Sequence, residues 1–554
     1  MDRISTIKSW LHDCEHLHTS CNKTTGSRFT SQMPARFVHL ENSPKADLVH
    51  IIDTAEAGLS QSERYIALSH CWGSSGVPLK TSQNNLLQFL QEIPATLIPS
   101  TFRDIFEVSR ALGISYVWID SLCIVQDSPQ DWAREAAKMA AIFHNAYLTI
   151  SAAGPDCHSG CGLSRVNEAA LIMCATNDVP ANQNDRNQHP IMSVRASPGY
   201  TFWEPVEDFN SWPLHSRGWI FQEIILSRRL LHIDPEGNFF WQCHTLLDSE
   251  DGTLRQFHTP QSLQQAEIMD LSLAETPLVD FNNMVGTEDM VIIWWKLLKA
   301  YFARKFTVQT DDLPAMVGTI ALFEDFTGDT AVVGLWKRKL HIHLAWCLDN
   351  PQRCIVTRDE NYPSWSWASV RHDSRKNLNL AEYKSHQVVW EATVASIDVK
   401  WEAVPYLSRL QKAVISIRGR RLSKQWEASI GSVDVAWDSA DDLRDYQLLL
   451  DPLFVDVTME EIKKWRDIRT IILEEKEPTR RKWLVSQEYM PLFVTLDDQH
   501  GLEFTVHVLM IKKAEAQFHR IGYARFFVGF DRNEDVQSLL SGCWSEEERA
   551  FDLI

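Results

Sequence analysis

The stretch SRGWIFQE, Ser216 to Glu223, gathers a guanidinium, an indole and a carboxylate within two turns of chain. Trp219 and Glu223 are four residues apart, so a helix puts them on one face. A carboxylate placed this way is either an ordinary helix residue paired with Arg217 or Arg228, or a group aimed into a pocket. In a pocket it could stabilise developing positive charge, and a position near a helix start would keep it ionised through the dipole. Arg217 could grip a phosphate through two parallel bonds, or pair structurally with Asp120 or Glu223. Asp120 directly follows the apolar run YVWI. There it could bind a ribose hydroxyl or a basic side chain at a crevice, or simply cap the next turn.

Other constellations invite chemistry but read better as structure. Ser69-His70-Cys71 and Cys123 suggest a nucleophile. A thiolate needs a nearby base or positive field, and along a strand His70 points away from Cys71. Small buried residues at a sheet edge are the favoured reading. Cys157-His158 with Cys161 suggests metal ligands, yet no second Cys/His pair follows at finger spacing. A loop with incidental thiols is favoured there, and no metal site is expected. Trp365 and Trp367, alternating in PSWSW, suit core or interdomain packing. With no G-x-G-x-x-G, no P-loop lysine and no G-x-S-x-G, a dehydrogenase, an NTPase and an ordinary serine hydrolase are disfavoured.

These residues need elements to position them. RYIALSHCWG (Arg64 to Gly73) is a short apolar run closed by turn residues, the pattern of a buried strand. In TFRDIFEVSRALG the residues Phe102, Ile105, Phe106, Ser109 and Leu112 share a helical face that Gly113 ends. YVWID is a second strand. Asp131 suits an N-cap, before Trp132, Ala136, Met139, Phe143 and Tyr147 at helical spacing. AYLTISAAG is a third strand. Continuous apolar strands alternating with helices predict a parallel sheet covered on both faces, with a ligand crevice outside the carboxyl ends of the strands. Ser69, His70, Cys71 and Asp120 fall at those ends.

Residues 1–60 are weakly periodic, a lead-in with a short helix, and about 155–212 form a loop-like insertion rich in Asn, Asp and Pro. RLLHIDPEGNFFWQC predicts a hairpin turning at Asp234 to Asn238. Residues 241–360 are mainly helical, and 361–554 are β-rich from their alternation in VVWEATVASIDVKW and AVISIRGRRL. The 554-residue length suggests roughly two to four domains, and 44% hydrophobic with 23% charged residues is an ordinary globular composition.

The charge balance, 54 − 73 = −19, comes without any compensating basic block and argues against a nucleic-acid partner. Lys8, His12 and Asp13 interrupt every apolar run at the start, and no stretch approaches the ~20 apolar residues of a membrane span. The C-terminal AFDLI is no prenylation box. Eleven scattered Cys fit reduced thiols in a soluble, cytoplasmic protein.

Three blocks carry a resemblance. YIALSHCWG, LGISYVWIDSLCIVQDSPQDWAREAAKMAAIFHNAYLTISAA and LHSRGWIFQEIILSRRLL resemble, in order and spacing, those of the fungal heterokaryon-incompatibility (HET) domain over roughly residues 64–231. KFTVQTDDLPAMVGTI and YPSWSWASV look like segments that commonly accompany it. The resemblance implies non-self recognition and regulated cell death, and a three-layer, TIR-like (Rossmann-like) α/β domain. HET domains are distantly similar to TIR domains, some of which cleave NAD. The TIR catalytic block S-x-x-W-C-x-x-E falls on Ser216, Trp219 and Glu223, with Ile220 replacing its Cys and no recognisable TIR first-strand motif. This correspondence makes Glu223 the candidate catalytic residue; Asp120, Arg217, Trp219, Ser69 and Cys71 stand beside it as substrate-binding candidates. It implies NAD as a substrate rather than a cofactor. A nucleotide or other small molecule would occupy the pocket, with a protein partner or self-association and no membrane. Two alternatives stand beside cleavage of NAD: a non-catalytic signalling adaptor, and a HET scaffold recruited into a biosynthetic reaction.

Overall fold

A computed structural model of the chain describes residues 3–22, 32–41, 48–73, 76, 78–158, 160–163, 212–252, 254–257, 290–306, 308, 311–348, 359, 361–370, 378–380, 388–422, 432–437, 470–472, 488–496, 503–514, 517–529 and 544–554. Most of the expected insertion at 155–212 lies outside them. The chain divides into two compact units, Met1–Asp280 and Phe281–Ile554.

The first unit opens with helices α1 (Arg3–His16) and α2 (Thr19–Asn22), then strands β1 (Arg36–Leu40), β2 (Val49–Asp53) and β3 (Tyr65–His70). There follow α3 (Leu86–Phe89), α4 (Ser100–Ala111), β4 (Tyr116–Ile119), α5 (Asp120–Cys123), α6 (Pro129–Ala136), α7 (Met139–Asn145) and β5 (Leu148–Ala152). The unit continues with α8 (Ile220–Leu226), β6 (Arg229–Ile233), β7 (Phe239–Cys243), β8 (Leu246–Ser249) and β9 (Arg255–Phe257). All nine strands join one sheet in the order β2-β1-β4-β3-β5-β6-β7-β8-β9.

The parallel sheet expected from the sequence is therefore mixed. Its centre, β4-β3-β5-β6, is parallel, with Ile66 opposite Val117 and Leu148, and Ile150 opposite Leu231. Antiparallel strands extend both edges, β1 and β2 on one side and β7, β8 and β9 on the other. Burial is continuous along the central strands: every residue of β3, β5 and β6 is buried, as is every residue of β8 further out. Crossovers from β3 to β4, and from β4 back past β3 to β5, run in opposite directions. Right-handed connections then place α4 and α6–α7 on opposite faces. Phe102 of α4 meets the His70 ring edge-on at 5.1 Å, and Phe143 of α7 meets Trp118 at 5.5 Å. The hairpin at Asp234 to Asn238 forms as expected, with Asp234 Oδ1 accepting from the Asn238 N–H.

Two local expectations fail between β4 and β5. Ser128, not Asp131, caps α6, because Pro129 at the first helical position moves the start of the helix upstream. Asp131 instead takes two bonds from Arg36, at 2.9 and 3.1 Å, and one from the Val125 N–H. The helical pattern from Trp132 to Tyr147 is also two helices rather than one: α6 ends before α7 starts at Met139, and Tyr147 lies beyond both. Trp132 lies 38% exposed.

Residues set apart by sequence as a lead-in form part of the first sheet's surroundings. Trp10 of α1 stacks on Trp241 at 6.0 Å and donates to Asp248, and Arg3 pairs with Glu250 at 2.9 Å.

In the second unit the helix Met290–Phe302 carries Trp294, which meets Trp336 edge-on at 5.0 Å. Trp365 and Trp367 are fully buried, as their pattern suggested. The indoles of Trp294 and Trp367 both donate to the Gly334 carbonyl, at 3.1 and 2.9 Å. Gly334 has φ +84°, and a Cβ there would meet the Trp367 ring at 2.7 Å, so both conformation and space require glycine. Among its described residues this unit also holds the helices Val317–Thr327 and Leu340–His343, two two-stranded sheets and a second nine-stranded sheet. Within it Leu410–Leu422 runs antiparallel to Thr393–Trp401 and Trp544–Leu553, and Glu503–Ala514 to Glu488–Leu496 and Gln517–Gly529.

Candidate functional site

Polar side chains converge where β3 and β4 end. The chain leaves β3 at His70, and β4 passes directly into the short α5 that begins with Asp120. Trp72 donates its indole N–H to Asp120 Oδ2 at 2.9 Å, and the Ser121 N–H occupies Oδ1 at 2.6 Å. His70 Nδ1 lies 3.8 Å from Asp120 Oδ1. From the loop before α8, Arg217 Nη1 donates to the His70 carbonyl at 2.8 Å. One helical turn on, Glu223 projects its carboxylate into the same neighbourhood and is only 7% exposed. Gly73, at φ +79°, lets the chain after β3 pass Asp156, since a Cβ would come within 3.0 Å of the Asp156 Cβ.

Burial dominates the electrostatics. It pushes the Glu223 carboxyl up to about 7, with Asp120 adding repulsion and Arg217 opposing. Nearby Ser69 opposes the shift too, although its Oγ is buried without a completed hydrogen bond. The expectation that a helix dipole keeps Glu223 ionised is thereby corrected. Helix α8 has seven residues, and desolvation of a buried carboxylate outweighs its dipole. Burial also lowers His70, against the opposing Asp120 and with Arg217 acting the same way as burial, which favours the neutral imidazole. The Cys71 thiol is pushed up to about 11, first by burial, against the opposing Arg217, and further by Glu223 and Asp156. Buried Cys123 rises to about 12. Neither is a poised nucleophile.

Of the residues singled out by sequence, Ser69, Cys71, Asp120, Arg217 and Glu223 come together here, the ionisable ones close enough to shift the Cys71 thiol and the Glu223 carboxyl. Trp219 stands at the start of α8, half-buried, with its ring edge-on to Trp132 at 6.1 Å. Neither structural pairing offered for Arg217 forms: among the described residues it makes no ion pair with Asp120 or Glu223 and binds a backbone carbonyl instead. Arg228 does not pair with Glu223 either; its electrostatic neighbours are Arg229 and Cys21. Ser216 bonds locally to the Pro213 carbonyl at 2.8 Å. Cys157 and Cys161 are buried thiols with raised pKa, and His158 is exposed. No metal-like grouping of His, Cys, Asp and Glu includes them among the described residues.

Sequence reasoning missed Trp72 and Asp156, and undervalued His70. Both ring nitrogens of His70, the Ser69 hydroxyl and the Ser121 hydroxyl are buried without a protein hydrogen-bond partner. Native interiors leave few such groups, and four of these atoms gather at one sheet edge, as at a site built to meet a ligand. The tryptophan at 72 gave a signal of its own, since an indole N–H needs an acceptor and Asp120 ends the neighbouring strand.

Residues 65–223 match the family described as Heterokaryon incompatibility protein (HET). The chain carries a HET domain. No curated protein and no solved structure matches it. The HET match begins at the first residue of β3 and ends on Glu223, so it spans β3, β4 and β5 of the sheet's parallel centre and every residue of the polar cluster. No described helix is long and apolar enough to cross a membrane.

Proposed function

We propose that the HET domain cleaves the nicotinamide–ribose bond of NAD, and that loss of NAD is its contribution to regulated cell death after non-self recognition. One observation carries this reading: Glu223 is a buried carboxyl, without an ion pair among the described residues, raised to about 7 beside Asp120, Arg217 and Ser69. Groups held near neutrality by desolvation cluster at functional sites.

The reaction breaks the C1′–N bond, and its electron pair neutralises the pyridinium nitrogen. Positive charge builds on the ribose, as in glycoside hydrolysis. Water adds to C1′ and gives up a proton, so the products are nicotinamide, ADP-ribose and a proton. Nicotinamide leaves without a general acid, so one carboxylate suffices. A bound pyridinium cation would draw the Glu223 pKa down and hold it ionised. Glu223 would then stabilise the ribosyl cation and accept the proton of the attacking water. Arg217 suits the pyrophosphate, while Asp120 and Ser69 suit the ribose hydroxyls. Trp219, on the TIR-like block with Ser216 and Glu223, would flank the nicotinamide ring.

The second unit lies wholly outside the HET match, which favours a recognition role for it and leaves an adaptor as the competing reading. Expression in a fungal host separates the two. The reading predicts growth arrest with falling cellular NAD for the wild-type chain, and neither for Glu223→Ala at equal abundance. Undiminished toxicity of that variant with unchanged NAD would establish the adaptor instead. Neither toxicity nor NAD loss from the wild type would favour the biosynthetic alternative.

A further inference from the structure

A second cluster lies on the other side of the sheet's order, where α1 and α2 meet β7. Cys14 is near the end of α1, His18 follows it, Cys21 is in α2, and Cys243 ends β7. All four are buried: Cys14 and Cys243 are 0% exposed, Cys21 2% and His18 8%. One ligand atom from each lies within 4.8 Å of every other. We propose that Cys14, His18, Cys21 and Cys243 bind one structural zinc ion that fastens the amino-terminal helices to the HET sheet.

The geometry is that of a slightly expanded tetrahedron. Zinc–sulfur bonds of ~2.3 Å and zinc–nitrogen bonds of ~2.0 Å imply edges of about 3.8 Å between sulfurs and about 3.5 Å from sulfur to nitrogen. His18 Nδ1 is 3.4 Å from Cys243 Sγ and 3.9 Å from Cys21 Sγ. Three thiols and one imidazole make a closed Cys₃His set with no position left for substrate, which is the structural rather than the catalytic arrangement. Cys14-x₃-His18-x₂-Cys21 supplies three ligands from eight consecutive residues at the junction of α1 and α2, and the fourth is distant in sequence but adjacent in space.

Neighbouring groups complete the site. Arg229 Nε donates to Cys14 Sγ at 3.3 Å, and the Thr245 hydroxyl lies 3.6 Å from Cys21 Sγ. Three thiolates around a dication leave one negative charge, which the Arg229 guanidinium offsets, as outer-shell donors do at thiolate metal sites. Three adjacent buried thiolates become tenable only with a cation between them. A packing role alone explains this poorly, because thiols are weak hydrogen-bond donors, and a disulfide would use two of the three sulfurs and leave one over. The ion would lock in place the helix that already stacks Trp10 on Trp241 and pairs Arg3 with Glu250.

The test is the metal content of the purified full-length chain, freed of any histidine tag and measured by plasma mass spectrometry. The wild type should hold one zinc per chain, Cys21→Ser and Cys243→Ser should lose it, and the Cys157→Ser/Cys161→Ser double variant should keep it. Because the first two variants could fail to fold, the wild type is also loaded with cobalt. Intense d–d absorption with thiolate-to-cobalt charge transfer is expected, and a zinc chelator should lower the melting temperature of the wild type. Wild-type protein that holds no zinc as isolated or after reconstitution would overturn the proposal. So would zinc kept by folded Cys21→Ser and Cys243→Ser, or an intact mass showing a disulfide within this cluster.

Discussion

Replacing Glu223 with glutamine tests the buried carboxyl independently of any reaction. Its pKa rises from 4.5, the ordinary value, to about 7 in the folded chain. Between those values the folded state binds more protons than the unfolded state, so this group makes stability fall as pH rises. Below the ordinary value both states are protonated and the penalty is absent; above about 7 it is fully present. A shift of this size corresponds to a penalty of at most about 3 kcal/mol. Glutamine keeps the shape and cannot ionise. Glu223→Gln should therefore melt at about the wild-type temperature near pH 4, and about 5 °C or more above it near pH 8.5. Scanning fluorimetry across that range, with intact secondary structure confirmed by circular dichroism, reads the difference. A stability gain independent of pH, or a loss that deepens as pH rises, would refute the reasoning, because the second result would mean that Glu223 is ionised and well paired.

Three further outcomes follow from particular contacts. Asp131→Ala should cost ~3–5 kcal/mol by denaturant unfolding, because the side chains of the Arg36–Asp131 pair are 11% and 8% exposed. Burial works against ionisation of Asp131, but Arg36 prevails and holds its pKa below the usual range. Its contribution should therefore be full above the ordinary aspartate pKa and fade as pH falls through the lowered value. Gly334→Ala should destabilise the second unit by more than about 2 kcal/mol, seen as early proteolysis of Phe281–Ile554. Cys71, buried with its thiol at about 11, should resist iodoacetamide in the native protein near neutral pH and react once the chain is unfolded.

The parallel centre of the first sheet could be read in the sequence because β3, β4 and β5 are apolar runs bounded by turn residues, a pattern that two-sided burial imposes. The same logic placed Asp120 and Cys71 at the strand ends beside Ser69, and the spacing of SRGWIFQE brought Glu223 to them. The edge strands β1 and β2 have weaker burial patterns, since half-exposed positions dilute the periodicity, and they were passed over. Asp131 was misread because an aspartate before an apolar run suits a cap equally well, and only Arg36, distant in sequence, decides its use. The four-ligand cluster was invisible for a similar reason. Cys14, His18 and Cys21 lack a fourth ligand at finger spacing, and the hairpin supplies it only after the sheet forms. For Glu223 a local rule about helix ends lost to a tertiary property, burial, that no window of sequence contains.

The most direct measurement is mass spectrometry of NAD incubated with the purified full-length chain, alone and concentrated enough to self-associate, beside folded Glu223→Ala and Glu223→Gln. The account predicts nicotinamide and ADP-ribose in equal amounts from the wild type and a loss of turnover of at least about 100-fold in both variants. Equal turnover by either folded variant would remove Glu223 from the mechanism, and no product from the wild type under any of these conditions would contradict NAD cleavage itself.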